Sequence, residues 1–332
     1  MAMLGKTNSL TDVSGIAVGQ AEAAGAKTGV TVILPDSRAV CAVDVRGGGP
    51  GTRETDALEA HTLVDAVDAV VLSGGSSYGL AAADGVAAEL GASGRGFALF
   101  DMPGVPRSPV VPSAILYDLA NGGDKAWGAS PPYRDLGRDA LAAVSSGPVA
   151  LGRAGAGFGA MAGTHPGGTG TASLVTGEGY TVGALVCVNA FGSVTMPGLD
   201  DVYWAWPHEI DGEFGGARPP AGWQASPADW GAAKVNPGVR ENTTIAVVAT
   251  DAALTPAQAR RLAIMAQDGL ARAIRPVHTP FDGDVVFALS TSARPLPESG
   301  AELALAALGS ACADTLARAV ARGVHAARTQ AA

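Results

Sequence analysis

The stretch VRENTTIAVVATD, residues 239–251, sets Asn242, Thr243 and Thr244 directly before an uninterrupted apolar run, residues 245–249. On an extended chain Ile245 and Val247 fall on one face and Ala246 and Val248 on the other, so the strand is apolar on both sides and reads as the centre of a sheet. Upstream, WPHEIDGEFGGARPPAGWQASPADWGAAKVNPGVREN (206–242) is too rich in Gly, Pro and Trp to form a regular element. A structureless connection of that length inside a compact domain tends to be functional or mobile. Its exit is therefore either an ordinary turn entering a strand or a place where the chain is cut.

Composition limits what such a site could do. The chain has 332 residues, 47% hydrophobic and 16% charged, enough to bury a large core. Its 46 glycines cluster in short knots without a period, which excludes collagen-like and low-complexity readings and marks places where backbone comes close to something. Net charge is −9 and the longest basic cluster is Arg260-Arg261, which argues against nucleic acid or an anionic membrane and for a small-molecule or peptide partner. Three widely spaced cysteines, Cys41, Cys187 and Cys312, sit among apolar neighbours and suit reduced core thiols. No signal-peptide pattern opens the sequence, and no apolar run approaches the roughly 18 residues of a membrane span. A cytoplasmic, soluble protein is the expectation.

Working outward from 243, strands are predicted at 30–34, 40–45, 69–72, 180–188, 245–249 and 285–289, and helices at 78–90, 135–145, 256–274 and 302–325. Gly177-Glu178-Gly179 joins two apolar runs as a hairpin. For the third helix, Thr255 is the N-cap and Pro256 the first helical residue, with Ala259, Leu262, Ala263, Ala266, Leu270 and Ala273 on one face. Strands and helices do not alternate strictly, so a layered α/β sandwich with a mixed or antiparallel sheet fits better than a Rossmann order. If the chain is cut before Thr243, the pieces are 1–242 and 243–332; the smaller cannot form a core alone, so both would stay associated in one folding unit.

A threonine hydroxyl is a weak nucleophile until a base takes its proton. An α-amino group can be that base, because its pKa of about 7.7 to 8.0 leaves a neutral fraction at pH 7. Thr243 carries such an amine only once the Asn242–Thr243 bond is broken, and its own hydroxyl can break it through an ester that water hydrolyses. In PVHTPFDGDVVFAL, Asp282 and Asp284 stand two apart at the start of a strand and share a face, where they can hold an ammonium group and orient a hydroxyl. Solvated aspartates in a turn are the alternative; a metal site with His278 lacks a recognisable ligand spacing. Asn189, ending the strand ALVCVN, is either a turn former or an amide aimed at an oxyanion.

Eight segments together carry a resemblance: DVRGGGPGTRETDAL (44–58), LSGGSSYGLAAADGV (72–86), VPSAILYDL (111–119), GRAGAG (152–157), GGTGTASL (167–174), VNAFGSV (188–194), NTTIAVVATDA (242–252) and RPVHTPFDGDVVFAL (275–289). In order and over nearly the whole chain they resemble the L-aminopeptidase/D-esterase family, which includes β-aminopeptidases and nylon-6 oligomer hydrolases. The resemblance implies a four-layer α-β-β-α sandwich of the N-terminal-nucleophile type, self-cleaved between Asn242 and Thr243, and a homo-oligomer of the cleaved heterodimers. It implies Thr243 as nucleophile, Asn189 on the oxyanion side, Tyr117 as the active-site tyrosine and Asp282 with Asp284 as the acidic pair. No metal or organic cofactor is needed. The nylon-oligomer hydrolases carry a catalytic lysine shortly after GAG; here the matching segment, FGAMAGTHPGG, has Thr164 and His165 instead. These two, with Tyr78, are expected to contact substrate: an amino-terminal peptide, an amino-acid amide or ester, or an aminohexanoate oligomer.

Three other readings compete. Gly75-x-Ser77-x-Gly79 outlines a nucleophile elbow, so an α/β-hydrolase using Ser77, a later acid and His278 or His325 is one. A small-ligand binder with glycine loops at helix N-termini is another, although GGGPGTRETD lacks the GK[ST] ending of a nucleotide loop. An acyltransferase similar to ornithine acetyltransferase, which also self-cleaves before Thr, is the third.

Overall fold

The computed structural model describes residues 3–100, 102–234 and 242–331. Its strands are β1 (Met3–Leu4), β2 (Ile16–Ala23), β3 (Thr28–Pro35), β4 (Val40–Val45), β5 (Thr52–Arg53), β6 (Val70–Ser73), β7 (Ser113–Ile115), β8 (Met161–Ala162), β9 (His165–Pro166), β10 (Gly168–Val175), β11 (Thr181–Asn189), β12 (Thr195–Met196), β13 (Leu199–Tyr203), β14 (Thr243–Ala252) and β15 (Val285–Arg294). Among the described residues, four α-helices accompany them: α1 (Ala81–Ala92), α2 (Tyr133–Ala142), α3 (Pro256–Ala273) and α4 (Ala301–Ala331).

Two mixed sheets carry the fold. One runs β1-β10-β11-β14-β15-β4 and the other β2-β3-β6-β7-β5. The β10–β11 hairpin is antiparallel, as its Gly-Glu-Gly turn requires, and β11 pairs antiparallel with β14. β14 and β15 run parallel because α3 connects them as a crossover. All ten residues of β14 are buried, which explains why its sequence shows no polar face.

Three apolar clusters define four layers. Val186, Val248 and Val286 pack with Leu262, Leu270, Leu316 and Val320 of α3 and α4. On the opposite face of the same strands, Leu185, Ile245, Val247 and Phe287 meet Ile33, Val70 and Leu72 of the second sheet. That sheet's outer residues Val30, Val32 and Val71 are covered by Val86 of α1 and by Tyr133 and Leu136 of α2. The order is helices, sheet, sheet, helices.

α3 begins as its sequence dictates: Gln258 N donates to Thr255 Oγ1 at 3.3 Å, Pro256 opens the helix, and all six residues of the expected face are buried. Of the helix predicted over 78–90, the first part is a tight 3-10 turn, Ser76–Leu80, before α1 starts. β2 escapes prediction because IAVGQAEA lacks β-branched alternation. Although the sequence has no apolar run near 18 residues, α4 is by length and composition apolar enough to cross a membrane. More than half of its most apolar stretch is nonetheless buried inside this fold, and Arg318, 1% exposed, pairs from it with Glu213 at 2.6 Å.

The long connection is irregular but anchored. After a short turn at Trp206–His208 it has no helix or strand through residue 234, and 235–241 lie outside the described residues. Glu213 accepts from Arg318 and from Asn8 Nδ2 at 2.7 Å, while Phe214 is buried against Tyr203. Further on, Trp230 meets Phe191 edge-on and Lys234 N donates to Phe191 O at 2.9 Å.

Candidate active site

Thr243 is the first residue of β14 and is paired in register with Asn189, the last residue of β11. Directly opposed residues on antiparallel strands point to the same side, and here that is the side of Ile245 and Cys187, between the two sheets. Thr243 is 3% exposed, and its Oγ1 donates to the carbonyl oxygen of Asn242 at 2.5 Å. The hydroxyl thus lies against the peptide bond that precedes it.

The next strand explains the closeness. Gly283 is adjacent to Thr243, and a Cβ there would come within 2.7 Å of Thr243 Oγ1 and of Gly49 O. Gly47 is confined in the same way, its absent Cβ only 2.3 Å from Asp284 N. Gly49 N donates to Asp282 O at 2.7 Å. The glycine knot 47–49 therefore lies flat on the 282–284 turn.

Asp282 and Asp284 share a face, as their spacing requires, but it is not the face of the Thr243 hydroxyl, a correction to the expectation. Alternation gives Gly283 to that side and puts both carboxylates on the other, where they bind backbone. Asp284 Oδ1 accepts from Thr244 N at 2.8 Å, and its Oδ2 lies 2.8 Å from His278 Nδ1. Asp282 accepts from Phe191 N at 3.1 Å and from Thr279 N and Oγ1 at 2.9 and 2.7 Å. Burial, and then the neighbouring Asp284 charge, hold the Asp282 carboxyl above the usual carboxylate range. The pair ties together the exit of β11, the entry of β14 and the loop before β15. Among the described residues, no group of three or more His, Cys, Asp and Glu is placed to hold a metal.

Asn189 is buried, with Nδ2 donating to Tyr117 O at 2.9 Å and Oδ1 accepting from Met161 N at 2.9 Å. Two cavities meet at Tyr117. One of about 80 Å³ is lined by Thr243, Gly49, Pro50, Ser76, Ser77 and Ile115 among others. The second, about 160 Å³, is lined by Asn189, Met161, Asp118, Asn121 and Lys234 among others. A larger groove of about 500 Å³ lies elsewhere, on the surface beside α2, and is lined by Glu89, Asp135, Arg138 and Asp139. Glu89 and Arg138 neutralise each other there at 2.7 Å.

Thr164 and His165 are absent from the linings of both cavities at Tyr117. Thr164 is exposed in the turn between β8 and β9, and His165 Nε2 lies 3.2 Å from Thr195 Oγ1. Burial and the Arg328 charge lower the His165 pKa. Tyr78 is half exposed and stacks edge-on to Trp127. The cation that does line the cavity is Lys234, whose Nζ donates to Asn242 Oδ1 at 2.7 Å. Sequence reasoning missed it because it lies in the irregular connection, eight residues before Asn242, where no periodicity assigns a direction. Ser77 lines the smaller cavity but lacks the elbow's parts: the strained left-handed residue is Ser76, His278 is held by Asp284, and His325 Nδ1 lies 3.4 Å from Tyr203 OH. All three cysteines are buried, which pushes the Cys187 thiol up to about 12.

The model of peptidase family S58 matches residues 8–332. The chain belongs to that family. This S58 chain is 47% identical over 333 residues to an uncharacterized aminopeptidase of Mycobacterium tuberculosis, covering 96% of this chain and 93% of that one. With a 6-aminohexanoate-oligomer endohydrolase of Kocuria sp. it shares 31% identity over 293 residues, 86% of this chain and 76% of the relative. Among solved structures, a Burkholderia sp. β-aminopeptidase superposes with a TM-score of 0.68 at 25% identity, covering 97% and 88%. The L-aminopeptidase D-Ala-esterase/amidase of Ochrobactrum anthropi, described as a variant of the Ntn hydrolase fold, superposes with a TM-score of 0.69 at 23% identity, covering 98% and 88%. The S58 chain is thus an amide hydrolase with the N-terminal-nucleophile fold, which sets aside the Ser77 elbow, the binding-protein and the acyltransferase readings.

Proposed function

We propose that the chain is made as an inactive precursor, cuts itself between Asn242 and Thr243, and then hydrolyses amides with Thr243 as an N-terminal nucleophile. The observation that carries this reading is the 2.5 Å contact of Thr243 Oγ1 with the Asn242 carbonyl, buried at the head of the central strand beside a cavity. In self-cleavage Oγ1 bonds to the Asn242 carbonyl carbon, the C–N bond breaks, and the hydroxyl proton passes to the departing nitrogen. Water then hydrolyses the ester, leaving a carboxylate on Asn242 and a free amine and hydroxyl on Thr243.

In turnover that amine is the general base and Thr243 Oγ1 attacks the substrate carbonyl. Asn189, opposite Thr243, supplies an amide on the oxyanion side, and Tyr117 lines the site between the two cavities. Asp282 and Asp284 orient the nucleophile through the backbone, since Thr244 N is bound by Asp284.

The substrate class favoured is amino-terminal peptides and amino-acid amides over aminohexanoate oligomers. Two facts support the ranking: the relatives at 47% identity are named aminopeptidases while the oligomer hydrolase is at 31%, and where nylon-oligomer hydrolases carry a lysine after GAG this sequence has Thr164-His165. Intact-mass measurement of the purified protein, followed by a hydrolysis panel of one dipeptide, one amino-acid amide and one aminohexanoate oligomer, tests both parts. An uncut chain that hydrolyses amides would refute the nucleophile assignment. Preference for the oligomer would refute the ranking.

A further inference from the structure

Lys234 is the one feature of the site that neither the motifs nor the acidic pair accounts for. It comes from the irregular connection, yet the turn bearing it is docked: Thr164 N donates to Ala232 O at 2.7 Å, Ala233 is 3% exposed, and Lys234 N donates to Phe191 O. From there its ammonium reaches Asn242 Oδ1 at 2.7 Å and lines the cavity shared by Asn189 and Tyr117. Asn242 itself is fully buried, and its main-chain carbonyl is the one that receives the Thr243 hydroxyl.

We propose that Lys234 is a positioning residue for self-cleavage, acting through the side chain of Asn242. The proposal rests on the self-cleavage reading above. A hydroxyl attacks a carbonyl only along a narrow approach to the carbon, and rotation of the Asn242 peptide would carry that carbon away from Oγ1. A charge-assisted hydrogen bond from an ammonium to the Asn242 amide oxygen is stronger than a neutral one and fixes the residue from its other end. The same ammonium, partly buried, puts a positive charge on the side chain of the residue whose carbonyl becomes negative during attack. The cation absent from the Thr164-His165 turn is thus supplied by the connection itself.

The test follows precursor and product masses in a cell-free synthesis time course of the full chain, for wild type, Lys234→Met, Lys234→Arg, Asn242→Ala and the Lys234→Met/Asn242→Ala double variant. Losing one charged hydrogen bond should slow cleavage on the order of ten- to a hundredfold. Lys234→Met and Asn242→Ala should show similar slowing, Lys234→Arg should recover most of the rate, and the double variant should be no slower than either single one. A purely structural lysine would give losses that multiply in the double variant, with no arginine rescue, and that result overturns the proposal. So does wild-type cleavage in Lys234→Met. Should Lys234→Met not fold, wild-type cleavage in Asn242→Ala overturns it equally. A wild-type chain that never cleaves before Thr243 would instead refute the self-cleavage reading.

Discussion

Asn189 and Thr243 stand directly opposite each other on adjacent antiparallel strands, both buried, with the Thr243 hydroxyl on the carbonyl of Asn242. An amide donor and a hydroxyl are thus placed on one side of one sheet by backbone register alone.

If the Thr243 hydroxyl serves both the proposed cleavage and turnover, Thr243→Ala should accumulate as a folded, full-length, inactive chain. Thr243→Ser should still cut, since the hydroxyl is retained. Thr244→Ala should also cut, because Thr244 contributes its backbone N–H to Asp284 rather than its side chain. Intact-mass spectrometry reads all three, and normal cutting of Thr243→Ala would exclude the mechanism.

Gly283→Ala tests the packing around the proposed nucleophile, Thr243. Its methyl would arrive 2.7 Å from Thr243 Oγ1 and from a main-chain oxygen, so the hydroxyl must move. Loss of about a hundredfold or more in cleavage rate is expected, as for a 1 Å misplacement of a reacting group. The thermal midpoint should move far less than for a core truncation. Unchanged processing would place the hydroxyl elsewhere in solution.

Replacing Asp282 or Asp284 by Asn should lower turnover by orders of magnitude while the protein stays folded. Burial raises the Asp282 pKa, so its ionised form costs folding stability. That cost is absent below the ordinary carboxylate pKa of about 3.9, grows as pH rises through the interval up to the elevated folded value, and is complete above it. An acid limb in the pH–rate profile above the usual carboxylate range, lost in Asp282→Asn, is the expected signature.

His165→Ala should leave the pH–rate profile unchanged between about pH 6.5 and 8, because His165 is outside the cavity and its lowered pKa keeps it neutral there. A histidine with a depressed folded pKa loses stability as pH falls below its ordinary value of about 6.5. The variant should therefore lose less thermal stability than wild type between about pH 7.5 and 5, a window spanning that value.

Arg318 and Glu213 form an ion pair across the chain, joining α4 to the long connection and, through Asn8, to the N-terminal segment. Removing Arg318 leaves the buried Glu213 carboxylate with Arg322, 3.3 Å away, and Asn8, so Arg318→Met should destabilise the chain in urea unfolding by less than the about 3–5 kcal/mol of a fully stranded charge. Replacing both with apolar residues should not recover that loss, because Arg322 then loses its Glu213 partner.

The sequence by itself determined what is local. The apolar run after Asn-Thr-Thr made β14 central, Thr255-Pro256 started α3, and Gly-Glu-Gly made the β10–β11 hairpin, since each depends on backbone preference or on burial of contiguous residues. Motif order determined the family. What only the tertiary structure decided was direction and distance between elements far apart in the chain. Two aspartates on one face could be read from their spacing, but not which side of β15 the neighbouring Thr243 would occupy; the register with β14 gave that side to Gly283. His165 stands in the segment where nylon-oligomer hydrolases carry a lysine, and the β8–β9 turn carries it to Thr195. Lys234 lies in a segment without regular hydrogen bonding, where no period fixes a side chain's direction, and only docking on Phe191 brings its ammonium to Asn242.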